Sequence, residues 1–143
     1  MNHSSLTYQK SNESFFQFRG NAPKAVFSRM PQLRGALIAV SFRPGLTAHR
    51  GELYSNGPKG DAVYAGCFLR RRLIVLDKQM LKTPRVLERI FVHEVFHFVW
   101  SKLSASLRAS FEHLIASELD RRGRGELGWS AESMKLKRLM ETA

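Results

Sequence analysis

The feature that most constrains this fold is His93-Glu94-Val95-Phe96-His97, set inside the apolar run from Ile90 to Trp100. On an α-helix, residues four apart lie one above the other, so both imidazoles can reach a single cation. Glu94 then points to one side of the pair, where a carboxylate can touch a water held by a metal without becoming a ligand. Almost every other position from Ile90 to Trp100 is apolar, which predicts a central, buried helix. Three ionisable groups in such a helix are costly unless something satisfies them. Two readings follow: a metal site, or core histidines paired with Glu94 and the backbone.

The neighbouring elements are read outward from that helix. Thr83 is placed as its N-cap, with Pro84 at the first helical position, where the missing N–H costs nothing, so the helix is expected over about 84 to 103. Upstream, Gly35 to Phe42 has the length and character of a strand and is ended by Pro44-Gly45. Ala62 to Leu69 and Arg72 to Leu76 are two more strands, joined by a tight turn or a bulge. The fully apolar Leu73-Ile74-Val75-Leu76 predicts a strand covered on both faces. Leu46 to Asp61, glycine-rich and carrying Pro58, reads as an extended loop, and His49 within it as a surface histidine.

Downstream, Ser104-Ala105-Ser106 is a break, and Ser106 is expected to cap a second helix through Leu119. Leu107, Phe111, Leu114, Ile115 and Leu119 form one stripe of that helix, with Glu118 near its centre. Packed back as a hairpin, the stripe would bring Glu118 to the two histidines. Glu112 falls on its edge and His113 opposite. Three glycines between Arg121 and Gly128 end this helix, and Ser130 caps a last one carrying Met134, Leu136, Leu139 and Met140. The expected fold class is therefore α+β, a small mixed sheet packed against the central His-Glu-x-x-His helix and a following helical hairpin. Residues 1–30, rich in Ser, Asn and Gln with Pro23 and Pro31 as breakers, read as a flexible N-terminal arm whose Phe15, Phe16 and Phe18 can dock on the domain, and residues 31–143 as a single domain.

Composition narrows the function classes. With 43% apolar and 24% charged residues, and no apolar run of membrane-spanning length, the chain reads as soluble with no membrane partner. Its N-terminus lacks the apolar segment of a secretory signal, so cytoplasmic residence is expected. Cys67 is the only cysteine, which excludes an internal disulfide and a cysteine-built zinc site and leaves histidines and carboxylates as ligands. Lys and Arg number 23 against 12 acidic residues, a formal charge of +11 that can attract nucleic acid or an acidic peptide. The basic clusters are Arg70-Arg71-Arg72, Arg121-Arg122 with Arg124, and Lys135 with Lys137-Arg138. None lies in a nucleic-acid-binding motif, and each also reads as ordinary solvated charge.

With His93-Glu94-Val95-Phe96-His97 on an apolar helix, an apolar strand upstream and a carboxylate-bearing helix downstream, residues 62 to 120 resemble the zincin superfamily of metallopeptidases. The likeness is to the gluzincin branch, whose third zinc ligand is a glutamate from a following helix. The metzincin continuation is absent, since Phe98-Val99-Trp100 follows His97 without the required glycine and third histidine. The resemblance implies Zn2+ as the metal, His93 and His97 as ligands and Glu94 as general base. Glu118 is the expected third ligand, with Glu126 and Glu132 as alternatives, or a glutamate helix beyond residue 143 if the chain is a shortened or degenerate relative. Gluzincins usually carry an aspartate four residues after that glutamate, where Glu118 has Arg122, Glu112 has Ala116 and Glu126 has Ser130.

The implied chemistry is hydrolysis of a peptide or protein substrate, acidic in character if the basic residues select it, by water activated between metal and Glu94. Tyr64, His113 and Arg72 are candidate donors to the developing oxyanion. Leu73 to Leu76 occupies the place of the strand that pairs with substrate in zincins, or is simply core. Two other readings stand beside this one: a non-catalytic zincin-fold binding protein whose basic surface engages nucleic acid or an acidic partner, and a closed structural zinc site.

Overall fold

Leu73-Ile74-Val75-Leu76 does lie inside a sheet, with Ile74, Val75 and Leu76 no more than 2% exposed. A computed structural model of the chain describes residues 12–20, 24–27 and 29–121, and the fold is α+β. In chain order the elements are β1 (Phe16–Arg19), α1 (Lys24–Phe27), β2 (Ile38–Arg43), β3 (Leu46–His49), β4 (Glu52–Ser55), β5 (Asp61–Ala62), β6 (Ala65–Phe68) and β7 (Leu73–Asp77). A 3-10 turn (Lys78–Lys82), α2 (Pro84–Lys102) and α3 (Ala105–Asp120) follow. Two compact units divide the chain, Met1–Ser101 and Lys102–Ala143. No helix among the described residues is long and apolar enough to cross a membrane.

The first unit holds a four-stranded mixed sheet in the order β1-β2-β7-β6. β1, β2 and β7 run parallel, and β6 pairs antiparallel with β7. β6 and β7 are joined by a tight turn in which the Arg72 N–H donates to the Leu69 carbonyl. Arg72 has φ of 49°, and its guanidinium donates to the carbonyls of Ala36 and Leu37 while lying 5.2 Å from the Phe98 ring centroid. β7 ends at buried Asp77. One of its carboxylate oxygens caps the 3-10 turn at Gln79 N–H (2.8 Å), and the other accepts from Leu46 N–H (2.9 Å).

The core lies between the sheet and α2. Ile38 and Val40 of β2, Ile74 and Leu76 of β7, and Leu87, Phe91, Val95 and Phe98 of α2 are buried together. Phe16 and Phe27 belong to the same core, with Phe15 and Phe18 packed against it, so the phenylalanine group of the N-terminal segment docks on the domain. Phe16 packs 5.0 Å from Phe91 and 5.6 Å from Phe27, ring centre to ring centre. Asn12, fully buried, ties the segment down through the carbonyls of Phe27, Met30 and Pro31 and the N–H of Leu33. Arg29 pairs with Glu88 of α2. Asn12 and Phe27 carry no local signal of burial, because theirs depends on partners distant in the chain.

Leu46 to Asp61 is also not a loop. β4, β3 and β5 form a three-stranded antiparallel sheet in that order. The turn between β3 and β4 places Arg50 and Gly51 at φ of 49° and 79°, the paired positive values that a two-residue hairpin needs. Gly60 is fixed by space as well as by φ, for a Cβ there would stand 2.2 Å from the Ala48 carbonyl oxygen.

α2 begins at Pro84 as expected and ends at Lys102, within a residue of the predicted end. In the second unit α3 is capped by Ser104 rather than Ser106: the Leu107 N–H donates to Ser104 Oγ at 3.2 Å. Its apolar positions Leu107, Phe111, Leu114 and Ile115 are exposed, contrary to the expected core-facing stripe. Periodicity specifies a face, and burial needs a surface to cover it. The helix expected from Ser130, with Glu126 and Glu132, lies outside the described residues.

Candidate metal centre

α2 lays one stripe on the sheet, with Leu87, Phe91, Glu94, Val95 and Phe98 buried at the three- and four-residue spacing of a helix face. Val92 and Phe96 point away and are 41% and 38% exposed. The expectation of a helix buried all round is therefore corrected to a half-buried one, since a single sheet covers only the stripe that faces it. The histidines stand on the flank, His93 half-buried and His97 exposed, while Glu94 faces the core at 8% exposed.

The two rings are in contact, their centres 5.0 Å apart and their planes inclined at 82°. One donor atom from each of His93, Glu94 and His97 lies within 4.8 Å of the others, the one such cluster among the described residues. Zinc binds nitrogen and oxygen at about 2.0–2.2 Å in a tetrahedron, so two donors on one ion stand about 3.3–3.6 Å apart, inside the 4.8 Å that bounds this cluster.

The electrostatics suit a cation. Burial raises the Glu94 pKa to about 7, and among the described residues no hydrogen bond or ion pair reaches its carboxylate. Partial burial, and then the neighbouring His93, lower the pKa of His97, which favours the neutral imidazole that a metal requires. Two imidazoles one turn apart are donors that a divalent ion fits, and the carboxylate without a partner stands beside them.

Cys67 of β6 is the neighbour that sequence reasoning missed. Its thiol is pushed up to about 12 by burial and then by the charge of Glu94, so it is a protonated, unreactive sulfur close to the cluster. The available signal was the alternation of Ala65-Gly66-Cys67-Phe68, which puts Ala65 and Cys67 on one face.

The remaining candidates are not members of this cluster. Glu118 lies on α3 in the second unit with its side chain exposed, as do Glu112 and His113; the cluster is drawn from α2 alone. Tyr64 is 62% exposed, and Arg72 is committed to two carbonyls and the Phe98 ring. His49 is exposed on β3, as expected. The Leu73–Leu76 strand has β2 on one side and β6 on the other, so no backbone edge is left for a substrate, and the edge strands of this sheet are β1 and β6. No protein-family model, curated protein or solved structure matches the chain.

Proposed function

We propose that this chain is a zinc-dependent peptide hydrolase of the zincin type, acting in the cytoplasm. The observation that carries the reading is the convergence of His93, Glu94 and His97 donor atoms within 4.8 Å on one turn of α2. His93 and His97 would hold Zn2+ through their ring nitrogens, and Glu94 would remain free as a base. Zinc held there supplies Lewis acidity toward a water and toward a substrate carbonyl. Glu94 takes the proton from the attacking water on a carboxylate oxygen and delivers it to the departing amine.

Metal analysis of the purified protein tests this directly. The expected result is about one zinc per chain in the wild type, loss of the metal in His97→Ala, and metal retained in Glu94→Gln with hydrolysis of a peptide mixture lowered about 10²–10⁴-fold. No zinc under metal-replete conditions would overturn the reading. Loss of zinc in Glu94→Gln would make Glu94 a ligand and the site structural. Glu118→Ala decides whether the glutamate expected from the sequence contributes to affinity at all.

The formal charge of +11 favours a second reading, a binding protein whose basic surface engages nucleic acid or an acidic partner. Its mark is salt-dependent binding that survives both Glu94→Gln and His97→Ala.

A further inference from the structure

At the end of the four-stranded sheet where β6 turns into β7, one side chain ties two loops together. The Arg72 guanidinium donates to the carbonyls of Ala36 and Leu37, and the Arg72 carbonyl accepts from the Ala39 N–H at 2.8 Å. The approach to β2 and the β6–β7 turn therefore form one rim. β7 lies between Leu37 and Leu69 there, which puts their backbones about two strand spacings, or roughly 10 Å, apart.

Both leucines are turned to solvent, Leu37 at 55% and Leu69 at 44% exposed. Arg34, Arg70 and Arg71, in the same two loops, are exposed as well, and the Arg71 guanidinium sits 5.6 Å from the Phe68 ring centroid. Neither loop holds an acid, for the sequence has none from Ser14 to Gly51 and none from Ala62 to Leu76. The exposed carboxylates of this unit, among the described residues, are Glu52 and Asp61 on the three-stranded sheet. Asp77 is buried at the far end of β7.

A single exposed leucine is ordinary, but two on a basic rim without acids select a partner with two properties. It must offer anions to the guanidinium groups and an apolar layer to the leucines. Nucleic acid supplies phosphates and nothing for an aliphatic side chain. An anionic bilayer supplies both, with phosphates at headgroup level and hydrocarbon just beneath. Arginine suits that boundary, because its stem lies along apolar surface while its head stays among the phosphates.

We infer that this rim rests on an anionic lipid surface, with Leu37 and Leu69 entering the boundary between headgroups and acyl chains and Arg34, Arg70 and Arg71 meeting lipid phosphates. The inference goes beyond the hydrolase reading and does not depend on it. The expectation of no membrane partner came from the lack of a spanning segment, and a contact lying on the surface needs none.

The test is co-sedimentation of the full chain with vesicles at physiological ionic strength. One set is phosphatidylcholine alone, the other equal parts phosphatidylcholine and phosphatidylserine. The wild type should bind the mixed vesicles and leave the neutral ones. Arg70→Gln/Arg71→Gln should weaken that binding about 25-fold, at about fivefold per arginine. Leu37→Ser/Leu69→Ser should weaken it about tenfold, as two partly inserted side chains are lost. Arg50→Gln/Lys59→Gln, which removes the same charge from outside the rim, should change it by no more than about twofold, since distant charges are screened. All six positions are exposed, and thermal unfolding checks that each variant keeps its fold.

Equal binding to the two kinds of vesicle, no binding to either, equal losses in the two charge-removing pairs, or full affinity in the leucine pair would each overturn the inference. Single-stranded DNA of mixed sequence is the competing ligand. DNA binding that the arginine pair weakens, together with vesicle binding that the leucine pair leaves intact, would make the rim a nucleic-acid surface instead.

Discussion

Asn12 and Glu94 are both polar and both buried, and the fold treats them in opposite ways. The Asn12 amide donates to carbonyls around Phe27 to Pro31 and accepts from Leu33, so its polar atoms are satisfied and the backbone between residues 27 and 33 is held in one shape. Glu94 has no such set among the described residues, and burial alone moves its proton affinity. Asp77 belongs with Asn12, since both its oxygens accept backbone N–H groups. A buried polar residue with a full complement of partners organises the chain. One without them is held for something the chain does not supply.

The largest effect should come from removing the charge of Glu94 in the metal-free protein. Its folded-state pKa of about 7 lies above the ordinary value of 4.5. The stabilising preference for the protonated form is therefore complete below about pH 4.5 and is lost as pH rises through 7. At pH 8 metal-free Glu94→Gln should exceed the wild type by on the order of 3 kcal/mol, with the difference gone near pH 4. Denaturant midpoints at the two pH values check this, and zinc should restore the wild type at pH 8. A flat difference across that window would put Glu94 among the satisfied groups and erase the contrast.

Asn12→Ala should act in the opposite sense, destabilising by about 1–3 kcal/mol at every pH, because carbonyls and an N–H lose their partner. A cost that varied with pH, or none, would break the comparison from the other side. Smallest of all is Leu114→Ser on α3. Its side chain is 53% exposed, so thermal unfolding should shift by no more than about 0.5 kcal/mol. A core-sized loss there would show that the apolar stripe is covered in solution.

These cases explain what was legible in the sequence. Local signals held: Pro84 started α2 where expected, Leu73 to Leu76 formed a strand buried on both faces, and His93 and His97 met because helical spacing alone brings them together. Signals that depend on distant partners failed. Phe27 lies in a polar stretch and yet enters the core against Phe91, while Leu107 and Leu114 repeat with helical period and stay exposed. The β3–β4 hairpin was hidden because its turn uses Arg50 and Gly51 at positive φ, which reads equally well as loop chemistry. The third ligand shows the same limit: Glu118 was chosen from the centre of a stripe presumed to be buried, and its side chain is exposed.

The two imidazoles come from a single turn of one helix, whereas the shielding of Glu94 needs strands drawn from far up the chain. The proposed grip on an ion is thus a short-range property, present as soon as that turn winds. Tuning the acid beside it belongs to the finished molecule. A peptide of residues 84–102 induced to coil would keep the first and lose the second, and metal could engage the helix before the sheet that makes the carboxylate unusual has assembled.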